Sequence, residues 1–98
     1  MSDGLVVHCK MESYDVYIGR PSIWGNPYEI GRDGSREQVI EKYREYVLGN
    51  PRLMGLLPTL HGKILGCWCK PKACHGDVLI QLLKEMEDGL QSLNIQRP

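Results

Sequence analysis

Three of the four cysteines, Cys67, Cys69 and Cys74, fall within eight residues of one another, and His75 follows directly. No other feature limits the fold as much. Alternation along 63–69 puts Leu65, Cys67 and Cys69 on one face of a strand and Ile64, Gly66 and Trp68 on the other. The turn Lys70-Pro71-Lys72-Ala73 then leads into a helix that starts between Cys74 and Asp77. A strand, a tight turn and a helix N-terminus must therefore carry four soft or borderline ligands close together.

Met1-Ser2-Asp3-Gly4 does not begin a signal peptide, and the apolar stretches fall far short of the roughly 20 residues of a membrane helix. The expectation is a cytoplasmic chain with reduced thiols, so metal binding or thiol chemistry outranks a disulfide framework. Twelve Lys+Arg balance twelve Asp+Glu, for a formal net charge of zero. That balance leaves no global positive field for an extended duplex, which is held through many phosphate contacts.

The rest of the chain reads as one α/β domain over residues 1–98, with its core at about 5–89 and a loose tail over 90–98. Leu5–Cys9 suits a buried strand and Asp15–Gly19 a second, with Lys10–Tyr14 closing a hairpin between them. From Gly19 to Gly34, six of sixteen residues are Gly or Pro, the mark of a shaped loop. Ser35 and Gln38 form a capping-box pattern before a helix with Val39, Ile40, Tyr43, Tyr46 and Val47 on its apolar stripe. Asn50-Pro51 opens a short second helix. The last helix buries Val78, Leu79, Leu82, Leu83 and Met86 and stops near Gly89. The order β-β-loop-α-α-β-α predicts a short mixed sheet with flanking helices.

Two readings of the sulfur-rich segment stand side by side. In the first, a helix N-terminus with Lys70 and Lys72 nearby lowers the pKa of Cys74 or Cys69, and His75 and Asp77 handle protons. Between Lys63 and Gly76 there are three lysines and no acid, a local positive charge suited to a single phosphate or carboxylate. The loop 19–28 adds Arg20 as an anion fork, Ser22 and Asn26 as hydrogen-bonding groups, and Trp24 as a stacking face. Together they predict binding of a nucleotide, nucleoside or nucleic-acid end, with enzymatic action on it left open and sequestration of a nucleotide without catalysis as an alternative. In the second reading no cofactor is needed for chemistry, and zinc serves structure: Cys67, Cys69, Cys74 and His75, with His8 or Cys9 as substitutes, hold the ion in a binding or inhibitor module. Against zinc stands the spacing, because neighbours at a helix start diverge by about 100°. Cys67 and Asp77 also have ordinary roles as a small core residue and a helix-dipole partner. Small size leaves room for a homodimer to complete the site.

The segments Tyr17-Ile18-Gly19-Arg20-Pro21-Ser22-x-Trp24-Gly25-Asn26-Pro27 and Leu65-x-Cys67-Trp68-Cys69-Lys70-Pro71-x-x-Cys74-His75-x-Asp77-Val78-Leu79 are distinctive together. With Ser35–Tyr43 and Gly62-Lys63, they make the chain over residues 5–85 similar to the uncharacterised family known as domain of unknown function 4326, common in bacteriophages and bacteria. The resemblance implies one shared site containing Arg20, Trp24, Asn26, Cys67, Cys69, Cys74, His75 and Asp77, in the host cytoplasm if phage-encoded. It carries no activity. Everything turns on the arginine–tryptophan loop and the sulfur-rich turn facing one cleft.

Overall fold

The computed structural model describes residues 5–96, with side-chain surroundings defined for residues 5–88. Three short strands, β1 (Leu5–His8), β2 (Val16–Tyr17) and β3 (Ile64–Cys67), form one sheet in the order β1-β3-β2. Both outer strands run parallel to β3, with Val7 opposite Gly66 on one side and Tyr17 opposite Gly66 on the other. The sheet is thus parallel throughout rather than mixed, and the expected β1–β2 hairpin does not form.

The reason lies in residues 9–15. Met11 and Glu12 N–H groups both donate to the His8 carbonyl, turning the chain at the end of β1. It then returns across the sheet to the starting end of β3. There Asp15 N–H donates to Ile64 O at 2.7 Å, and its carboxylate accepts from Ile64 N–H at 2.8 Å. The return path lays the Tyr14 ring on Gly66, where an added Cβ would stand 2.6 Å from Tyr14 Cγ. Only glycine leaves room for that crossing.

The opposite face of the sheet takes the helices. α1 (Arg36–Leu48) begins at the Ser35 cap, whose hydroxyl accepts from Gln38 N–H while the Gln38 side chain takes Ser35 N–H, as the capping pattern predicts. Its buried residues are Val39, Tyr43 and Val47. α2 (Pro51–Leu56) is capped by the Asn50 side chain and passes into a 3-10 turn, Leu57–Leu60. α3 (His75–Gln96) lays Val78, Leu79, Leu82 and Leu83 on the core. One core joins them, with Ile18, Tyr43, Val47, Leu57, Leu65, Cys67, Cys74 and Leu79 at its centre.

Two expectations about α3 change. Met86 is among the exposed hydrophobics rather than on the buried stripe. The helix also passes through Gly89 to Gln96, so residues 90–96 are helical where a loose tail was expected; 97 and 98 lie outside the described residues. A single Gly costs a helix only about 1 kcal/mol, too little to end it. Among the described residues, no helix is long and apolar enough to cross a membrane.

Candidate metal centre

β3 ends at Cys67, and a turn through the cis Lys70–Pro71 peptide carries the chain to Cys74 and α3. The turn is closed by Lys72 N–H donating to Cys69 O at 2.9 Å. This brings the Sγ atoms of Cys67, Cys69 and Cys74 within 4.8 Å of one another. Cys67 and Cys74 are fully buried and in sulfur–sulfur contact at 2.6 Å, whereas Cys69 is half-buried. Backbone amides point at two of the sulfurs: Cys69 N–H at Cys67 Sγ, 3.4 Å, and Gly76 N–H at Cys74 Sγ, 3.3 Å.

His75 stands beside these sulfurs, outside the set of three that lie within 4.8 Å of one another. Its Nε2 lies 2.8 Å from the carbonyl oxygen of Ile18. A carbonyl only accepts, so Nε2 carries a proton and Nδ1 is the ring nitrogen left to face the sulfurs. That Nδ1 lies 3.6 Å from Cys74 Sγ. The ring is 7% exposed and stands edge-on to Tyr43, with centroids 4.9 Å apart. Cys74 and His75 converge, contrary to the expected divergence at a helix start, because Cys74 precedes the helix and does not obey its rotation.

Proton sharing within the trio is uneven. Hydrogen bonding from Cys67 first, then from Cys74 and His75, holds the Cys69 thiol far below its ordinary range. Bonding with Cys67 and Cys69, and then burial, pushes Cys74 far up. Cys67 moves up as well, through Cys69 first. Only one sulfur of three ionises readily without a cation, and it is Cys69 rather than Cys74.

Cys69 and His75 also floor a cleft of about 230 Å³ at the carboxyl ends of β2 and β3, lined further by Tyr17, Gly19, Arg20, Asn26 and Trp68. Parallel sheets commonly place ligands there. The Arg20 loop and the sulfur-rich turn therefore meet on one cleft.

Several residues assigned from sequence to a ligand are wholly or partly spent on the protein itself. Trp24 is 4% exposed and part of the core, so its ring offers no stacking face; its carbonyl takes the Tyr43 hydroxyl at 2.7 Å. Ser22 Oγ accepts Trp24 N–H. Asn26 borders the cleft, yet its side chain donates to Val39 O and accepts from Tyr28 N–H. Arg20 Nε and Nη2 donate to the carbonyls of Asn26 and Tyr28, and Nη1 lies 4.0 Å from Glu29. Asp77 does not orient His75. Its carboxylate takes Cys74 N–H at 3.0 Å and the Lys70 ammonium at 2.6 Å. With Cys74 N–H on Asp77 and Gly76 N–H on Cys74 Sγ, two amides of the helix start are spent on its own cap rather than open to an anion. Lys72 is exposed in the turn, and neither lysine lines the cleft. His8 stands edge-on to Trp68, and Cys9 is not in the sulfur group.

Two cleft residues escaped the sequence reading. Trp68 is 54% exposed, and its indole N–H donates to Tyr17 Oη at 2.8 Å. The strand alternation that opposes Trp68 to Cys67 and Cys69 was the signal, since the sulfurs face the helices.

Comparisons with known proteins agree with the local motifs. The family model described as Domain of unknown function (DUF4326) matches residues 7–85. Uncharacterized protein R718 of Acanthamoeba polyphaga mimivirus is 39% identical over 95 residues, covering 79% of this chain and 72% of that protein. An uncharacterized 12.4 kDa protein from the nrdA-td intergenic region of Enterobacteria phage T4 is 36% identical over 86 residues, covering 83% and 78%. No solved structure matches.

Proposed function

We propose that this chain, which belongs to the family described as Domain of unknown function (DUF4326), is a zinc-stabilised binding module whose ion is held by Cys67, Cys69, Cys74 and His75 Nδ1. One observation carries the reading: three sulfurs lie within 4.8 Å of one another beside a histidine whose Nε2 is committed to Ile18 O. Metal-binding histidines generally donate their other ring N–H to a carbonyl or carboxylate, which fixes the tautomer. Thiolates with an imidazole suit zinc better than hard cations. Sulfurs about 2.3 Å from a tetrahedral zinc stand about 3.8 Å apart, closer than the 4.8 Å within which all three lie, and the Cys67–Cys74 pair at 2.6 Å would open to admit the ion. The amides on Cys67 and Cys74 Sγ support thiolates in the same way.

Zinc would release the protons that the three sulfurs otherwise contest. A four-ligand site of this kind is closed, so the ion supplies folding energy rather than an activated water. Ligand binding then belongs to the adjoining cleft, in a cytoplasm that keeps the thiols reduced.

The test is elemental analysis of protein purified without added zinc, followed by cobalt substitution. One equivalent of zinc, thiolate-to-cobalt absorption and a large drop in melting temperature on chelation are expected. Substoichiometric metal and no cobalt spectrum would leave a free-thiol site instead.

A further inference from the structure

We infer that the cleft beside the sulfur cluster takes a mononucleotide, free or at the end of a strand, with its base stacked on Trp68 and its phosphate at Arg20. The proposal goes beyond the zinc reading and is carried by different atoms.

Trp68 is the starting point. It is 54% exposed, yet it is anchored. Its indole N–H donates to Tyr17 Oη at 2.8 Å, and that hydroxyl donates on to Arg20 O at 3.0 Å. Lys10 Nζ stands 5.5 Å from the ring centroid, and His8 meets the ring edge-on at 5.7 Å. An indole held by this chain of contacts, with Lys10 over its ring, has already lost its rotamer freedom while staying 54% exposed. Such pre-ordering lowers the cost of binding. Base stacking on a protein aromatic is worth about 1–3 kcal/mol and tolerates any base.

Arg20 supplies the second element. Two of its N–H groups are fixed on the carbonyls of Asn26 and Tyr28, which holds the guanidinium in place, and Arg20 lines the cleft. A phosphate meets a preoriented cation at Nη1, where it would displace the Glu29 carboxylate now 4.0 Å away. The volume of about 230 Å³ lies below the roughly 300–1,000 Å³ of drug-sized sites, which limits the buried part to one base. Zero net charge argues for one nucleotide rather than a polymer.

The test uses ¹⁵N-labelled, zinc-loaded full chain, in which only two indole N–H signals exist because the sequence has two tryptophans. It is titrated to millimolar concentration with AMP, adenosine, ribose 5-phosphate and a 5′-phosphorylated single-stranded oligonucleotide. AMP is expected to shift the Trp68 indole signal saturably, and adenosine and ribose 5-phosphate each to bind at least tenfold more weakly. Saturation by the oligonucleotide alone would assign the strand end as the source. Trp68→Leu should weaken AMP at least tenfold and Trp68→Phe less, both with unchanged urea midpoints. Equal binding of AMP and ribose 5-phosphate, an unaffected Trp68→Leu protein, or no saturable shift with any probe would overturn the inference. Metal content is measured on the same samples. AMP binding without zinc would sink the metal reading alone, and stoichiometric zinc without AMP binding would sink this one alone.

Discussion

His75 Nε2 donates to the carbonyl oxygen of Ile18 at 2.8 Å, a bond between residues 57 positions apart that ties the first turn of α3 to the end of β2. Because Ile18 N–H is itself taken by Gly66 O at 2.9 Å, both polar backbone groups of this buried residue are satisfied through the site. The same bond turns Nδ1 toward Cys74. A structural contact and a ligand orientation are thus one interaction. Gly76, next in the chain, has no room for a Cβ, which would meet Ile18 Cδ1 at 2.7 Å, so helix and strand approach closely enough for the bond to form.

Replacing His75 by alanine strands the Ile18 carbonyl in a buried position. An unsatisfied buried group costs about 1–3 kcal/mol, and urea unfolding with EDTA present should lose that amount. With zinc added, the loss should grow, since one ligand is gone. Equal losses with and without zinc would remove His75 from the metal site.

Gly66→Ala pushes a methyl into the Tyr14 ring. Overpacking of this kind costs about 1–3 kcal/mol. Tyr14 is partly exposed, so Gly66→Ala combined with Tyr14→Ala should recover most of the loss. A double-mutant cycle by urea unfolding measures the coupling; additive losses would mean that the crossover does not lie on Gly66.

The helices were legible because each has a local cause: Ser35 with Gln38, and Asn50 with Pro51, fix their starts whatever surrounds them. The sulfur cluster was legible through crowding alone. The strand pairing was not, because Leu5–His8 and Val16–Tyr17 are the same whether they meet each other or both meet β3; the difference lies in Tyr14 crossing Gly66. Trp24 and Trp68 were misassigned for a related reason. Residue type does not say which of two tryptophans the core takes, and the loop turned Trp24 inward into the core, where its carbonyl takes the Tyr43 hydroxyl. Arg20 read as an anion fork, but carbonyls six and eight residues downstream claim two of its N–H groups.

The two tryptophans should behave oppositely. Acrylamide should quench Trp68 and leave Trp24 nearly untouched, so Trp68→Leu removes most quenchable emission with little change in stability. Trp24→Ala should cost about 3–5 kcal/mol, the usual price of emptying a large aromatic site. Comparable quenching of both would contradict the burial of Trp24.

Metal-free protein should be most stable near the ordinary thiol pKa of about 8.5. Cys69 is held low by Cys67, Cys74 and His75, so it adds stability as pH rises toward that value. Cys67 and Cys74 are held high; their contribution is complete below it and is lost as pH climbs beyond, at about 1.4 kcal/mol per unit per thiol. Tyr43, raised by burial, acts with the same sign above about pH 10. Zinc-loaded protein has no thiol protons left to lose and should lack the thiol-dependent decline. Urea unfolding from pH 6 to about 10.5 with and without zinc checks both curves, and a monotonic rise in the metal-free series would refute the proton sharing.

Asp77 separates a capping role from a chemical one. Its Oδ2 accepts Cys74 N–H while Cys74 Sγ accepts Gly76 N–H, a reciprocal arrangement at the start of α3 in which a sulfur stands where a hydroxyl usually caps. Asp77→Ala should therefore cost about 1 kcal/mol in urea unfolding, as lost caps do. Lys70→Ala should cost less, about 0–1 kcal/mol, because the Lys70–Asp77 pair is partly exposed and surface ion pairs contribute little. Neither change replaces a metal ligand or a residue lining the cleft, and Asp77 meets Cys74 only at its backbone N–H, so zinc stoichiometry and AMP affinity, measured on folded protein, should stay within about twofold of the parent, a shift of under 0.5 kcal/mol. A tenfold fall in either for Asp77→Ala, with stability nearly unchanged, would move Asp77 from the helix cap into the site.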